Sequence, residues 1–116
     1  MQPAIEDQEI ATRLAVLRAE VAALQSMIFE TVSRDLRGLG SGHETSVDYL
    51  YCGEVLQRIR LLSMQILGAD ALEVSGEAGA WTTPYLGDRY YVIAGGSSEI
   101  RRNIIAERVL GLPRSY

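Results

Sequence analysis

The stretch "IATRLAVLRAEVAALQSMI", residues 10–28, decides the fold class. Ile10, Leu14, Leu17, Val21, Leu24 and Ile28 recur at alternating spacings of four and three, which lines them up in one stripe along a helix. Ala11, Ala15, Ala22 and Ala23 flank the stripe and leave room for a neighbouring helix to approach closely. No glycine or proline occurs from Ala4 to Arg37, so the pattern predicts one long helix, about thirty residues. It ends at "RGLGSGHETS", where Gly38, Gly40 and Gly42 supply helix-stop and loop chemistry.

Beyond that loop a second helix is expected, capped by Thr45 or Ser46 with Asp48 in its first turn. It runs through "VDYLYCGEVLQRIRLLSMQIL" with Val47, Tyr51, Val55, Ile59, Leu62 and Ile66 on one side, and Gly68 ends it. Residues 68–83, "GADALEVSGEAGAWTT", read as an irregular surface loop. "PYLGDRYYVIA" opens with Pro84, suited to a first helical turn, and predicts a short helix. A last helix is expected from about Ser98 to Leu110, stopped by Gly111 and Pro113. There is no strand-like alternation, repeat or low-complexity tract. The expected class is therefore all-α, an antiparallel helical bundle of two long helices plus shorter C-terminal helices, in a single domain over 1–116. Its wide apolar stripes exceed what so few helices can cover, so a partner subunit or a further segment is expected to cover the rest. The heptad-like spacing of the first helix fits a coiled coil too, but packing within a bundle is the expectation.

Composition narrows the function. The chain of 116 residues is 47% hydrophobic with three prolines, which is globular rather than disordered. A formal charge of −4 argues against a nucleic-acid surface, and all the basic residues are arginine. Cys52 and His43 are each the sole residue of their type, which leaves no internal disulfide and argues against a metal site. The N-terminal "MQPAIEDQEI" has no apolar signal core, and no stretch approaches the length of a membrane span. A soluble, reducing compartment, the cytoplasm, is the expectation.

Two stretches invite chemistry. In "IAGGSSEI", residues 93–100, Gly95 and Gly96 permit positive φ and remove the Cβ atoms that would hold a ligand off the backbone. Ser97 or Ser98 can cap the helix that follows, whose first N–H groups attract anions. The same residues also describe an ordinary glycine turn with a serine cap. In "QILGADAL", residues 65–72, Gln65 one turn before Gly68 either presents an amide to a ligand or is a solvated side chain near a helix end. The remaining features read as structure: His43 exposed in a loop, Cys52 a small core residue, and Arg101, Arg102, Glu99 and Glu107 a charged helix face. Trp81, Tyr85, Tyr90 and Tyr91 are expected to anchor the last connection to the bundle.

Together, "QILGADAL" and "YYVIAGGSSEIRRNIIAERVLGLPR" resemble the C-terminal end of acyl-CoA dehydrogenases. That family carries a Gln-x-x-Gly-Gly-x-Gly element, a Tyr/Ile-rich turn, Gly-Thr/Ser-x-Glu/Gln-Ile and a last helix ending in Leu-Gly-Leu-Pro. "AIEDQEIATRLAVLRAEVAAL", with Gln8 opening a long helix, and "YCGEVLQRI" are similar to its preceding helices, so the resemblance covers essentially the whole chain. The resemblance implies FAD-dependent α,β-desaturation of acyl-CoA thioesters, an oxidoreductase of fatty acid metabolism acting on CH–CH donors. It implies a C-terminal four-helix-bundle domain, with the family's N-terminal and middle domains absent from these 116 residues. It implies a homo-oligomer, or pairing with a second acyl-CoA dehydrogenase-like chain, with FAD at the subunit interface and no nucleic acid or membrane partner. Carried over residue by residue, Gln65, Ile66, Leu67, Gly68 and Ala69 match the segment that contacts a neighbouring subunit's FAD. Ser97, Ser98 and Glu99 match a second FAD-contacting stretch, and Gly96 a glycine beside the acyl-CoA.

Three departures accompany the resemblance. The Arg-x-x-Phe-Gly element that precedes this region in the family is missing. Ala69 stands where the family has a second glycine. Gly95 stands where one large branch carries its catalytic glutamate, so no catalytic residue is expected in this chain, and the chain alone is expected to be inactive. The alternative is a stand-alone helical module for dimerisation or partner binding, without redox chemistry.

Overall fold

The Asp7 side chain accepts hydrogen bonds from the amides of Glu9 and Ile10 at 2.9 and 3.1 Å, and so starts the first long helix, α1, Gln8–Leu36. A computed structural model describes residues 3–40 and 42–114. Ala4–Glu6 form a separate 3-10 turn ahead of α1. The second long helix, α2, spans Glu44–Leu67. The pairs Arg34–Glu44, Thr31–Asp48 and Glu20–Arg58 step along the two helices in opposite directions, which makes them antiparallel. Leu17 and Leu24 of α1 and Val55 and Leu62 of α2 are the buried hydrophobic residues among those described. Within the two predicted stripes, Leu14, Ile28 and Ile66 are exposed.

The start of α2 differs from expectation. Neither Thr45 nor Ser46 caps it. Thr45 lies inside the first turn and donates to the Gly42 carbonyl at 3.2 Å, while Asp48 accepts from Thr31 of α1 at 2.6 Å. Asp48 thus serves the α1–α2 seam instead of the helix end.

The stretch read as an irregular loop, 68–83, is mostly ordered. Gly68–Leu72 form a 3-10 turn, and a third helix, α3, spans Gly76–Gly87. Pro84 therefore lies inside a helix rather than in its first turn. Low helix propensity is overridden here by close packing. Gly79 is buried against the backbone of Val74, where a Cβ would come within 2.5 Å of a carbonyl carbon. Buried Thr82 donates to the Ala71 carbonyl at 3.1 Å.

Asp88–Val92 form another 3-10 turn in place of the expected short helix. Arg60 binds Asp88 at 2.6 Å, Gln57 donates to the Asp88 carbonyl at 3.1 Å, and Val92 sits over Gly53 of α2. The last helix, α4, covers Ser98–Ile104 and continues as π-turns over Ile105–Val109, closing with a Leu110 N–H to Ile105 carbonyl bond of 3.0 Å. The described residues hold no strand, in keeping with the expected all-α bundle.

Candidate functional site

Residues 93–97 join the 88–92 turn to α4, lying against the N-terminal half of α2. Gly95 and Gly96 both adopt positive φ, +67° and +113°, so the chain turns here as only glycine does readily. The loop is tied down by α2 and α4. The Tyr49 hydroxyl donates to the Ala94 carbonyl at 2.7 Å. Arg101 donates to the Gly95 carbonyl at 2.8 Å, and its guanidinium carbon lies 3.6 Å from the centroid of the Tyr49 ring. A Cβ on Gly95 would come within 3.0 Å of an Arg101 nitrogen. Arg101 Nε is buried with no hydrogen-bond partner. Arg102 pairs with Glu54 and ties α4 to α2.

The entrance to α4 is closed by its own side chains. Ser97 Oγ accepts from the Ile100 amide at 3.4 Å. The fully exposed Glu99 carboxyl is held below its ordinary range, first by its own backbone amide, then by the Ser97 hydroxyl, with Arg102 contributing less. An anion arriving at this helix start meets a carboxylate already there. Ser98 and Gly96 are half-buried.

Gln65, Ile66, Leu67, Gly68 and Ala69 lie at the opposite end of α2. Gln65, Ile66, Gly68 and Ala69 are exposed, and Leu67 is half-buried. Gly68 has φ +58° and ψ −121°, and a Cβ there would meet nothing within 4 Å. Its conformation calls for glycine, while the space beside it stays open. At 1.5 Å per residue, the loop's partners Tyr49 and Gly53 lie about 20 Å along α2 from Gln65. One chain therefore does not bring the two segments together.

Residues 1–110 match the family model for the C-terminal domain of acyl-CoA dehydrogenases. The chain belongs to the acyl-CoA dehydrogenase family. It is similar to acyl-CoA dehydrogenase IpdE1 of Mycolicibacterium smegmatis, 35% identical over 112 residues that cover 96% of this chain and 27% of that protein. Acyl-CoA dehydrogenase IpdE1 of Mycobacterium tuberculosis is 52% identical over 54 residues, which cover 46% of this chain and 14% of that protein. The chain thus spans about a quarter of the length of the first of these relatives. No solved structure matches it.

In this acyl-CoA dehydrogenase domain, several side chains behave differently from the sequence reading. Arg101 and Arg102 are no plain charged face: one folds under the glycine loop, and the other bridges to α2. Tyr49 and Arg101 were missed because the contact joins residues far apart in sequence, and neither carries a local motif. Cys52 is exposed rather than core, because it opens onto an uncovered groove of about 300 Å³ between α2 and the 88–92 turn. Trp81, Tyr90 and Tyr91 are likewise exposed, and the turn is anchored by Arg60, Gln57 and Val92 instead. His43 is exposed as expected. Among the described residues there is no group of ligands for a metal, and no helix is long and apolar enough to cross a membrane.

Proposed function

We propose that this chain acts as the C-terminal helical domain of an FAD-dependent acyl-CoA dehydrogenase that desaturates the Cα–Cβ bond of acyl-CoA thioesters. Its contribution is cofactor contact, substrate-loop shape and subunit packing. The observation that carries the reading is Cβ-free backbone at positive φ in two matched segments, Gly68 with open space beside it at one end of α2 and Gly95–Gly96 near the other. FAD, when bound, supplies the hydride acceptor. Gln65–Ala69 present exposed backbone to the flavin of a neighbouring subunit, and Ser97, Ser98 and Glu99 line the flavin on the loop side. Gly96 leaves room for the thioester. Gly95 brings no acid, so the carboxylate that removes the α-proton comes from another segment or another chain.

The separation of about 20 Å along α2 favours an assembly in which two subunits each lend one end. The partner is a second copy of this chain or another acyl-CoA dehydrogenase-like chain. The test is to mix the purified chain with FAD and follow retained flavin absorbance and its bleaching by acyl-CoA. The chain alone is expected to show neither, and robust turnover by it alone overturns the proposal. In an assembly that does hold flavin, Gly96→Leu is expected to lower flavin retention. Unchanged retention defeats the cofactor reading of the loop.

A second reading, a non-catalytic module for dimerisation or partner binding, is favoured by the surface area. The accessible surface is 8309 Å², against about 6,300 Å² for a compact monomer of this mass.

A further inference from the structure

The glycine loop is held by the Arg101 guanidinium. Among the described residues the Arg101 guanidinium forms no salt bridge, although Arg102 beside it pairs with Glu54. Its carbon lies over the Tyr49 ring, 3.6 Å from the centroid, one nitrogen donates to the Gly95 carbonyl, and Nε is buried without a partner among the described residues. Tyr49 takes the adjoining carbonyl, that of Ala94, through its hydroxyl. Two consecutive loop carbonyls are thus gripped by one pair of side chains, and a Cβ on residue 95 would come 3.0 Å from a nitrogen of the same guanidinium.

We propose that Arg101 and Tyr49 together are the positioning residues of the 93–97 loop, and that Arg101 crowds the space a side chain at residue 95 would enter, beyond the demand of its backbone angle. This rests on the proposed function only for the consequence that the ligand-facing side of the loop is thereby kept in one shape. Losing Arg101 frees the Gly95 peptide to rotate about the two flexible glycines. Losing the Tyr49 hydroxyl frees the Ala94 end alone and leaves the ring contact in place.

The test uses the full chain without cofactor. Hydrogen exchange is measured at the Ala94 and Gly96 amides, which donate to the Tyr90 and Ile93 carbonyls. Exchange in α1 near Leu17 and Leu24 serves as the folding control. Arg101→Met is expected to speed loop exchange about tenfold or more, the loss of one charge-assisted hydrogen bond, while α1 is unchanged. Arg101→Lys, which keeps a donor but not the planar guanidinium, should fall between the two. Tyr49→Phe should act more weakly, and its combination with Arg101→Met should give less than the product of the two effects. The Arg101 Nε–H resonance should be displaced by the ring current, and Tyr49→Leu should abolish that displacement. Gly95→Ala pays for its positive φ in any background, so its extra cost in the native chain relative to the Arg101→Met chain isolates the guanidinium.

Loop exchange unchanged in Arg101→Met, with α1 intact, overturns the proposal, as does an equal Gly95→Ala cost in both backgrounds. Should Arg101→Met unfold the chain, Arg101→Lys decides, because full native protection there leaves the guanidinium geometry no role. Flavin retention by assembled wild-type protein is read separately. Its absence defeats the proposed function and leaves the exchange result standing.

Discussion

Glu99 sits in the first turn of α4 with its carboxyl held low by its own amide and the Ser97 hydroxyl. A group whose folded value lies below its unfolded value stabilises fully above the unfolded one, about 4.3 for glutamate. That contribution disappears as pH falls through the lower folded value. Glu99→Gln is therefore expected to be less stable than wild type at neutral pH, with the gap closing in acid, below the folded value. Urea denaturation at neutral and at acid pH checks this, and a gap that persists in acid would refute the assignment. Gly79 offers a sharper case, since its Cβ position is blocked by rigid backbone at Val74. Gly79→Ala is expected to lose about 1–3 kcal/mol despite the better helix propensity of alanine, read in the same urea titration. At this scale the sequence was legible only where chemistry is local. The glycines at 95 and 96 and the serine at 97 announce a turn and a cap. Nothing local announces that Tyr49 and Arg101 will meet, because their contact depends on how α2 and α4 dock.

The long helices were the most readable elements. An uninterrupted apolar stripe needs no tertiary knowledge, and α1 and α2 end close to where glycines were expected to end them. Leu62, 2% exposed, lies at the seam between them, and Leu62→Ala should cost about 2–5 kcal/mol. A thermal melt shifted by only a degree or so would show that the seam repacks. The third helix escapes the sequence because 68–83 reads as mixed and irregular, whereas the smallness of Gly79 is what admits α3 against Val74. Pro84 inside α3 donates no hydrogen bond, leaving a helical carbonyl without its usual partner. Pro84→Ala is thus expected to raise stability, by up to about 3 kcal/mol. A fall in the urea midpoint would mean that the ring's packing outweighs the missing bond.

On the scale of the whole molecule, the chain is long and thinly covered. Its radius of gyration is 17.5 Å, against about 13 Å for a compact domain of this length. A groove of about 490 Å³ opens beside α1 and α2, lined by Leu14, Val21, Ile66 and Trp81 among others. Phe29, Val32 and Leu36 continue the exposed apolar surface along α1. Sedimentation velocity is expected to find the chain associated at micromolar concentration, and a strictly monomeric species would argue that this surface stays wet. The need for cover was legible from the width of the apolar stripes, while its location required the packed structure. The span of α2 has a further consequence. A ligand gripped by one end of α2 from one subunit and the other end from a second is held by a bimolecular vessel. Its occupancy must then fall faster than simple one-site dissociation as protein is diluted, and bound colour would fade on dilution at constant free ligand.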